Sequence, residues 1–449
     1  MKTRYFLCAA LAASLGSCGL YTRYERPAFE YEVSGISRSD STVSPIAAMP
    51  WSEVFTDSCL QSWIGRGLER NTDLRIAMLR AEEAAATLRA SQLALLPSVS
   101  AGADGSVGHK SPSRFSVGPS ASWEVDIFGR QRNLRHGAEA AFYGAAATGQ
   151  AVRTSIVAAI ANSYYTLLML DEQLSISERT LKTWDENIRV LQALKRAGRS
   201  NEAAVLQARA NRLNVESSAL TLRNRIVEQE NAVRALLLDP EADLSRGTLA
   251  GQTFPDTLFS GITLTMLSNR PDVRAAEHGL QKCFYEINVA RAAFYPSLKL
   301  SGNLGWTTTS GAGVGNPSEW IANAVGSLTA PLFSRGSNEA NLKIAKAEYE
   351  IARLEFEQRL LDAGMEVNDA LSSWQTAVER LILDKKQIVA LKGAVHNTRL
   401  LMRNSPTNYL EVLTAQQRLL DAELSEANDR YEAIQSVIDL YHALGGGEL

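Results

Sequence analysis

The sequence predicts a mainly α-helical protein with a smaller β-structured portion that lies in a membrane. Three observations predict this class. One unit occurs twice along the chain, four segments alternate between apolar and polar residues, and two long stretches lack proline. Each copy of the unit is therefore expected to combine long coiled-coil helices with two strands.

The repeated unit recurs at a nearly constant offset. Residues 71–77 match 270–276, and residues 96–99 match 295–298, both at an offset of 199 positions. Two further matches follow in the same order, Phe128-Gly129-Arg130 with Phe333-Ser334-Arg335 and Val205 to Ala208 with Val412 to Ala415. A single duplicated unit therefore covers almost the whole chain downstream of its N-terminal segment.

The N-terminus has the layout of a secretory signal. Two positive charges precede an apolar stretch from Tyr5 to Leu15, which is about half of the roughly 20 residues that a membrane-spanning helix needs. Leu15-Gly16-Ser17-Cys18 is similar to a bacterial lipobox, in which cleavage after Ser17 leaves Cys18 to carry acyl chains. Gly19, rather than an aspartate, follows the cysteine and favours the outer membrane. The alternatives are an N-terminal anchor helix or an ordinary signal peptide with a chance cysteine.

These observations divide the chain into six segments. We expect a signal peptide at 1–17, a lipid-anchored segment at 18–56, a first repeat at 57–238, a linker at 239–263, a second repeat at 264–444 and a tail at 445–449.

Composition excludes several classes of function. The 46 Lys and Arg residues against 49 Asp and Glu residues give a net charge of −3, so the chain lacks the excess of positive charge that is typical of nucleic-acid-binding proteins. The five histidines are scattered without ligand spacing, and we find no nucleophile motif or phosphate loop, so no metal site, cofactor or enzymatic activity is expected. Beyond the N-terminal segment, Cys59 and Cys283 remain, and we expect them to be buried free thiols.

Four segments read as membrane strands, at about 97–108, 114–127, 296–308 and 318–332. From Phe115 to Ile127, every odd position is apolar and every even position is polar or glycine. This is the period of a strand with one apolar and one polar face. The segments reach the roughly 9 to 11 residues that a tilted transmembrane strand needs.

The helical segments are too long for an ordinary globular core. Residues 132–197 contain no proline, and a helix of that length would measure roughly 100 Å. In the second copy, apolar residues recur with three-and-four spacing from Leu342 to Leu381, which is the seam of a coiled coil.

The number of strands requires more than one chain. In lipid every backbone N–H and C=O group must be paired, so a membrane sheet must close, and closed barrels begin at about eight strands. The two copies supply only four, so several chains must each donate a sector to one barrel.

The sequence resembles the TolC family of outer-membrane efflux proteins, in its lipoprotein, NodT-like branch. The resemblance covers nearly the whole chain beyond the signal. The residues that carry it are Cys18, Tyr24 to Pro27, Trp51 to Phe55, Asp57, Leu60, Asn71 to Leu74, Leu96-Pro97, Asp126 to Gly129, Arg270 to Val273, Tyr295-Pro296, Pro331 to Phe333 and Tyr409 to Leu413.

This resemblance implies a homotrimer in the cell outer membrane, with four strands per chain in a shared 12-stranded β-barrel that continues as an α-helical barrel in the periplasm. It implies efflux of drugs, toxic small molecules or metal ions as a passive duct, with a periplasmic adaptor and an inner-membrane pump as partners. The acyl chains on Cys18 would add contact with outer-membrane lipid.

The resemblance also places the periplasmic tips at two helix turns. The residues expected there to contact the adaptor are Gly198, Arg199, Ser200, Ser405, Pro406 and Thr407. Gly198 is suited to the left-handed backbone that ends a helix, and either Ser200 or Asn201 can cap the next helix. The alternative is that both segments are only tight turns.

The pore aperture is expected just beyond the second turn, at Tyr409, Glu411 and Thr414. In a trimer Glu411 would form a ring of carboxylates, which favours cations. The alternative is a solvated glutamate on a helix face. Family members often carry a second acidic residue where Thr414 stands, and their tip lock uses a tyrosine and an arginine where Met402 and Thr407 stand. Neither the double ring nor that lock is therefore expected in its usual form.

Three other functions remain open at this point. The first is a duct for type I protein secretion, because cargo is chosen largely by the pump. The second is a periplasmic coiled-coil adaptor without a pore, which the four alternating segments disfavour. The third is an enzyme, for which we find no motif.

Overall fold

The structure, a computed structural model, describes residues 21–27, 49–108, 111–252, 254, 264–309, 319–404 and 409–446. In the first half of the chain its elements are α1 (Trp51–Val54), α2 (Ser58–Arg70), α3 (Thr72–Leu93), β1 (Ser98–Gly108), β2 (Ser111–Val125), α4 (Arg130–Arg196) and α5 (Glu202–Leu236). After a short 3-10 turn at Leu249–Gly251 come α6 (Leu264–Asn269), α7 (Pro271–Ala292), β3 (Ser297–Thr309), β4 (Glu319–Thr329), α8 (Ser337–Asn404) and α9 (Tyr409–Ala443).

The duplication is visible in the lengths of the helices. Helix α4 has 67 residues and is followed by α5 with 35, and helix α8 has 68 residues and is followed by α9 with 35. Each copy therefore contributes one very long helix, one shorter helix and two strands. The predicted fold class, long helices with four strands per chain, is confirmed.

The chain divides into two compact units. One consists of Met1–Glu30, Ala77–Thr148 and Asp272–Arg359, and the other of Tyr31–Ile76, Gly149–Pro271 and Leu360–Leu449. Each unit takes segments from both copies of the repeat. All four strands belong to the first unit, while α5 and α9 belong to the second.

The four strands form one antiparallel sheet in the order β1-β2-β3-β4. Ser98 pairs with Ser122 across β1 and β2, Val125 with Leu298 across β2 and β3, and Ser297 with Thr329 across β3 and β4. Strands β1 and β4 are the two edges of this sheet in the described part of the chain. An open edge leaves a row of backbone groups without ladder partners.

Two strand ends differ from the sequence-based limits for local reasons. Strand β2 ends at Val125, since the carboxylate of Asp126 accepts hydrogen bonds from the backbone N–H groups of Gln131 and Arg132 at 3.0 and 2.9 Å, at the start of α4. Strand β4 ends at Thr329, shortly before Pro331, which has no N–H group for the ladder.

The middle of the sheet contains a close approach between two backbones. A Cβ atom at Gly118 would lie 2.1 Å from the carbonyl oxygen of Leu304, and one at Gly305 would lie 2.5 Å from the carbonyl oxygen of Val117. Real Cβ contacts are never that short. Strands β2 and β3 can therefore approach this closely only because both positions are glycine.

The N-terminal segment of the described chain is tied to the first unit. The hydroxyl of Tyr21 donates to the carbonyl oxygen of Phe128 at 2.7 Å, and Arg26 pairs with Glu277 at 3.5 Å. The ring of Tyr24 packs edge-on against Phe284, with centroids 5.8 Å apart.

A hydrogen-bond network around Asp57 links distant parts of the second unit. The Asp57 carboxylate caps α2 by accepting from the backbone N–H of Cys59, and it also accepts from the hydroxyl of Tyr164 at 2.7 Å and from Nε2 of Gln252 at 2.8 Å. Burial opposes ionisation of this carboxyl, but these donors hold its pKa below the usual value. The network therefore joins α2 to α4 and to the segment after the 3-10 turn.

Cys59 and Cys283 are free thiols, as predicted, although they are half-buried rather than buried. None of the helices in the described ranges combines the length and the hydropathy needed to cross a membrane.

Candidate functional site

The turn between α4 and α5 is a Schellman motif, a left-handed helix ending closed by two backbone hydrogen bonds. Gly198 has a φ of +69°, as predicted for a left-handed helix ending. Its N–H donates to the carbonyl of Lys195 at 3.0 Å, and the N–H of Arg199 donates to the carbonyl of Leu194 at 2.8 Å. Among the described residues, no neighbouring atom lies within 4 Å of the position that a Cβ at Gly198 would take, so this part of the turn has room for a side chain.

The next helix is capped by Asn201 and not by Ser200. The Asn201 side chain accepts from the backbone N–H of Ala204 at 2.9 Å, the position at which an N-cap residue satisfies the first turn. The Ser200 hydroxyl is buried and has no hydrogen-bond partner among the described residues. An ion pair between Lys195 and Glu202 spans the turn. These contacts hold the backbone of the turn, which carries exposed arginines at positions 196 and 199.

Several predicted site residues lie outside the described residues. These are Cys18 at the N-terminus and Ser405, Pro406 and Thr407 in the second turn. Helix α8 ends at Asn404 and α9 begins at Tyr409.

The three predicted aperture residues lie together in the first two turns of α9. Tyr409 is half-buried, whereas Glu411 and Thr414 are exposed and the intervening Val412 and Leu413 are buried. Glu411 lies in the first turn, where the partial positive charge of the helix N-terminus favours a carboxylate.

The exposed face of α9 extends beyond the predicted residues. Arg418 and Asp421 are exposed and follow Thr414 at spacings of four and three residues, so they lie on the same face as Glu411. The carboxylate of Asp421 accepts from Nε2 of Gln417 at 3.0 Å. The prediction from the sequence includes only Thr414 on this face. The three-and-four spacing of the polar residues that follow it indicates that the exposed face continues.

The buried face of α9 contains a polar contact that sequence reasoning did not find. Nδ2 of Asn187, on α4, donates to Oε1 of Gln416. Both side chains are only 5 % exposed. No sequence motif marks these residues, because their proximity depends on how α4 and α9 pack.

A second buried polar cluster lies farther along α9. Asp429 is 1 % exposed and forms an ion pair with Arg380 of α8, which also bonds Glu432 at 2.9 Å. Asp384, one turn from Arg380 on α8, is 9 % exposed and faces Asp429. Burial and the contact with Asp384 raise the pKa of Asp429 to about 6, against the opposing effect of Arg380.

This raised pKa makes stability depend on pH in a defined direction. Because the pKa of Asp429 is higher in the folded chain than in the unfolded chain, the protonated form stabilises the fold below about pH 4, and this stabilisation is lost as the pH rises through about 6. We expect Asp429→Asn to unfold at a higher temperature than the parent at pH 7.5 and at nearly the same temperature at pH 4. Thermal unfolding followed by circular dichroism at both pH values checks this, and an equal difference at both pH values would contradict it.

The described residues contain no group of three histidine, cysteine or acidic side chains arranged to hold a metal ion. The candidate site consists of a tip turn and a helix face with exposed charges, which suit contact with a partner and passage of ions.

The sequence is similar to a protein family and to individual proteins of efflux systems. The family described as outer membrane efflux protein matches residues 63–237 and 265–446. The chain is 28 % identical to the cation efflux system protein CusC of Escherichia coli O157:H7, over 98 % of this chain and 97 % of that protein. It is also 28 % identical to the toluene efflux pump outer membrane protein TtgI of Pseudomonas putida, over 96 % of each chain.

The fold is also similar to solved structures. The open state of the MtrE outer membrane channel of Neisseria gonorrhoeae superposes with a TM-score of 0.86 at 29 % identity. That alignment covers 95 % of this chain and 98 % of the MtrE chain.

Proposed function

Because this chain belongs to the family of outer membrane efflux proteins, we propose that three copies of it form the passive exit duct of an efflux pump, with the aperture at Tyr409, Glu411 and Thr414. The chain is the outer-membrane channel component of such a pump. Our proposal concerns the trimer, the aperture, the acyl anchor and the cargo.

The open four-stranded sheet is the observation that carries the proposal of a trimer. Strands β1 and β4 each have one unpaired edge within the described residues, and a sheet in lipid has to pair both. Four strands are too few to close a barrel, whereas three copies supply 12. Pairing the β1 edge of one copy with the β4 edge of the next repeats the same antiparallel contact around a threefold axis.

The tip turn supports a contact with the periplasmic adaptor of the pump. Gly198, Arg199 and Ser200 form a closed, capped turn whose backbone is held by hydrogen bonds. Such a turn presents its arginines without the entropic cost of ordering a loop when a partner binds. We place Ser405, Pro406 and Thr407 of the second turn in the same contact.

Deletion of the gene tests the function and names the cargo. We expect the deleted strain to become more susceptible to at least one class among drugs, dyes, bile salts, solvents and metal ions. Toluene and a series of metal salts are the first to try, because TtgI is named for toluene efflux and CusC for cation efflux. The parent gene supplied on a plasmid should restore resistance. Unchanged susceptibility across the panel would contradict a role in efflux.

The acyl anchor is tested by metabolic labelling with palmitate. We expect the label in the parent protein to be lost in Cys18→Ala, because the acylated cysteine is removed. Cys59→Ala is the matched control, since Cys59 is a half-buried free thiol in the folded chain, and it should keep the label. Label that persists in Cys18→Ala would rule the anchor out.

The carboxylate ring is tested in planar bilayers. We expect Glu411→Gln to lower the preference for cations over anions, since three charges near the pore axis are removed while the size of the side chain is kept. The reversal potential in a salt gradient measures this preference. Glu241→Gln, which neutralises an exposed glutamate outside α9, should leave it unchanged. Equal reversal potentials for Glu411→Gln and the parent would remove Glu411 from the aperture.

A further inference from the structure

A buried pair of amide side chains joins α4 to α9 close to the proposed aperture. Asn187 donates through Nδ2 to Oε1 of Gln416, and both side chains are 5 % exposed. Gln416 lies five residues after Glu411 on the same helix. The contact therefore lies within two helical turns of the residues that we place at the aperture.

On both helices the amide occupies a seam position that is otherwise apolar. On α4 the buried residues Trp184, Asn187 and Leu191 follow one another at spacings of three and four. On α9 the buried residues are Leu413, Gln416 and Leu420, at the same spacings. This is the pattern of a coiled-coil seam with one polar residue among apolar ones, and a single polar residue at such a position specifies register at some cost in stability.

A buried amide can specify the register because it is far less costly with a hydrogen-bond partner than without one. An amide that loses its partner inside an apolar seam keeps the full cost of leaving water. Nε2 of Gln416 already lacks a hydrogen-bond partner among the described residues, so its Oε1 makes the contact that compensates burial. Rotation of α9 about its own axis would carry Gln416 away from Asn187 and remove that compensation.

The same rotation would move the aperture residues. At 3.6 residues per turn, Gln416 is turned about 140° around α9 from Glu411, so the two side chains lie on nearly opposite faces. Gln416 faces α4, whereas Glu411, Thr414 and Arg418 are exposed. A contact that holds Gln416 against α4 therefore determines which side chains α9 presents on its exposed face.

We propose that Asn187 and Gln416 are positioning residues of the aperture, which hold α9 in the rotation that points Glu411 and Thr414 into the pore. This inference rests on the proposed function, because it takes the aperture to lie at the start of α9. The pair acts through the helix and does not itself touch the transported molecule.

The test measures single-channel conductance of the purified full-length protein in planar bilayers. We expect Gln416→Leu and Asn187→Leu each to raise the unitary conductance about twofold or more, because α9 is then free to turn its aperture face aside. The exchanged variant Asn187→Gln/Gln416→Asn restores an amide pair and should return the conductance toward the parent value. Such a rescue would show that the paired amides, and neither side chain by itself, set the conductance.

A second bond between the same two helices supplies the matched control. The hydroxyl of Thr166, on α4, donates to the hydroxyl of Tyr431, on α9, at 3.0 Å, and Tyr431 lies 15 residues beyond Gln416. Tyr431→Phe removes this bond and should leave the conductance unchanged. If Tyr431→Phe raises the conductance as much as Gln416→Leu does, the effect is general loosening of the helix pair and the proposal fails.

Two further variants distinguish a folding defect from failure of the proposed function. If either single variant is absent from the outer membrane, the double variant Asn187→Leu/Gln416→Leu carries the test, because it leaves no amide unpaired. Parental conductance in the leucine variants overturns the positioning role. Glu411→Gln separately tests the aperture through selectivity, so a change there with parental conductance in the leucine variants refutes only the positioning role.

Discussion

Replacing Gly118 with alanine is expected to remove most of the protein from the outer membrane. The added Cβ would lie 2.1 Å from the carbonyl oxygen of Leu304 and 2.5 Å from the Cα of Gly305, both of which belong to the neighbouring strand β3. Backbone atoms cannot rotate away as a side chain can, so β2 and β3 would have to separate at the centre of the sheet. Because every backbone polar group of a membrane sheet needs a partner, the cost is several kcal/mol for each lost bond.

The measurement is the amount of protein in isolated outer-membrane fractions. Gly102→Ala is the matched control, because Gly102 lies in β1 of the same sheet and a Cβ there meets no atom of the described residues within 4 Å. This control should accumulate like the parent. Parental amounts of Gly118→Ala would show that the two strands do not approach as closely as described.

Replacing Arg270 with alanine is expected to lower the free energy of unfolding by about 2–5 kcal/mol, because it deletes a large buried side chain and leaves a buried backbone carbonyl without its charged donor. Arg270 is 1 % exposed and precedes α7. Its Nη1 donates to the carbonyl oxygen of Ala443 at 2.8 Å, and its Nη2 pairs with Glu366 at 2.6 Å. The substitution leaves both acceptors without this donor and empties the space that the side chain fills.

The measurement is thermal or denaturant unfolding of the purified protein, and two variants sharpen it. Arg270→Lys should not restore stability, because an ammonium group lacks the planar fork that reaches two acceptors at once. Arg70→Ala removes an exposed ion pair with Asp239 in the same unit, and it should cost no more than about 1 kcal/mol. Equal losses for Arg270→Ala and Arg70→Ala would contradict the prediction.

Much of the architecture could be predicted because it depends on local periodicity. Alternation with a period of two marked all four strands, and the spacing of apolar residues together with the lack of proline marked the long helices. The left-handed ending at Gly198 was predictable for the same kind of reason, since glycine adopts a positive φ without a steric penalty. The choice between Ser200 and Asn201 as the cap was not predictable, because both side chains can make that bond.

The residues that sequence reasoning missed all depend on partners far away in the chain. Gln416 is buried against Asn187, which lies 229 positions earlier, and nothing near either residue indicates this contact. The raised pKa of Asp429 likewise requires Asp384 and Arg380 of another helix. In the sequence these are ordinary polar residues on amphipathic helices, where solvent exposure is the usual expectation.

The duplicated plan, the four strands and the long helix pairs follow from short-range patterns in the sequence that recur in both copies, and the family follows from the resemblance of its motifs. The positions at which the sheet requires glycine, the burial of Arg270 and the face of α9 that packs against α4 are visible only in the folded chain. These properties depend on contacts between segments about 90 to 230 residues apart, and such contacts produce no periodic pattern in the sequence.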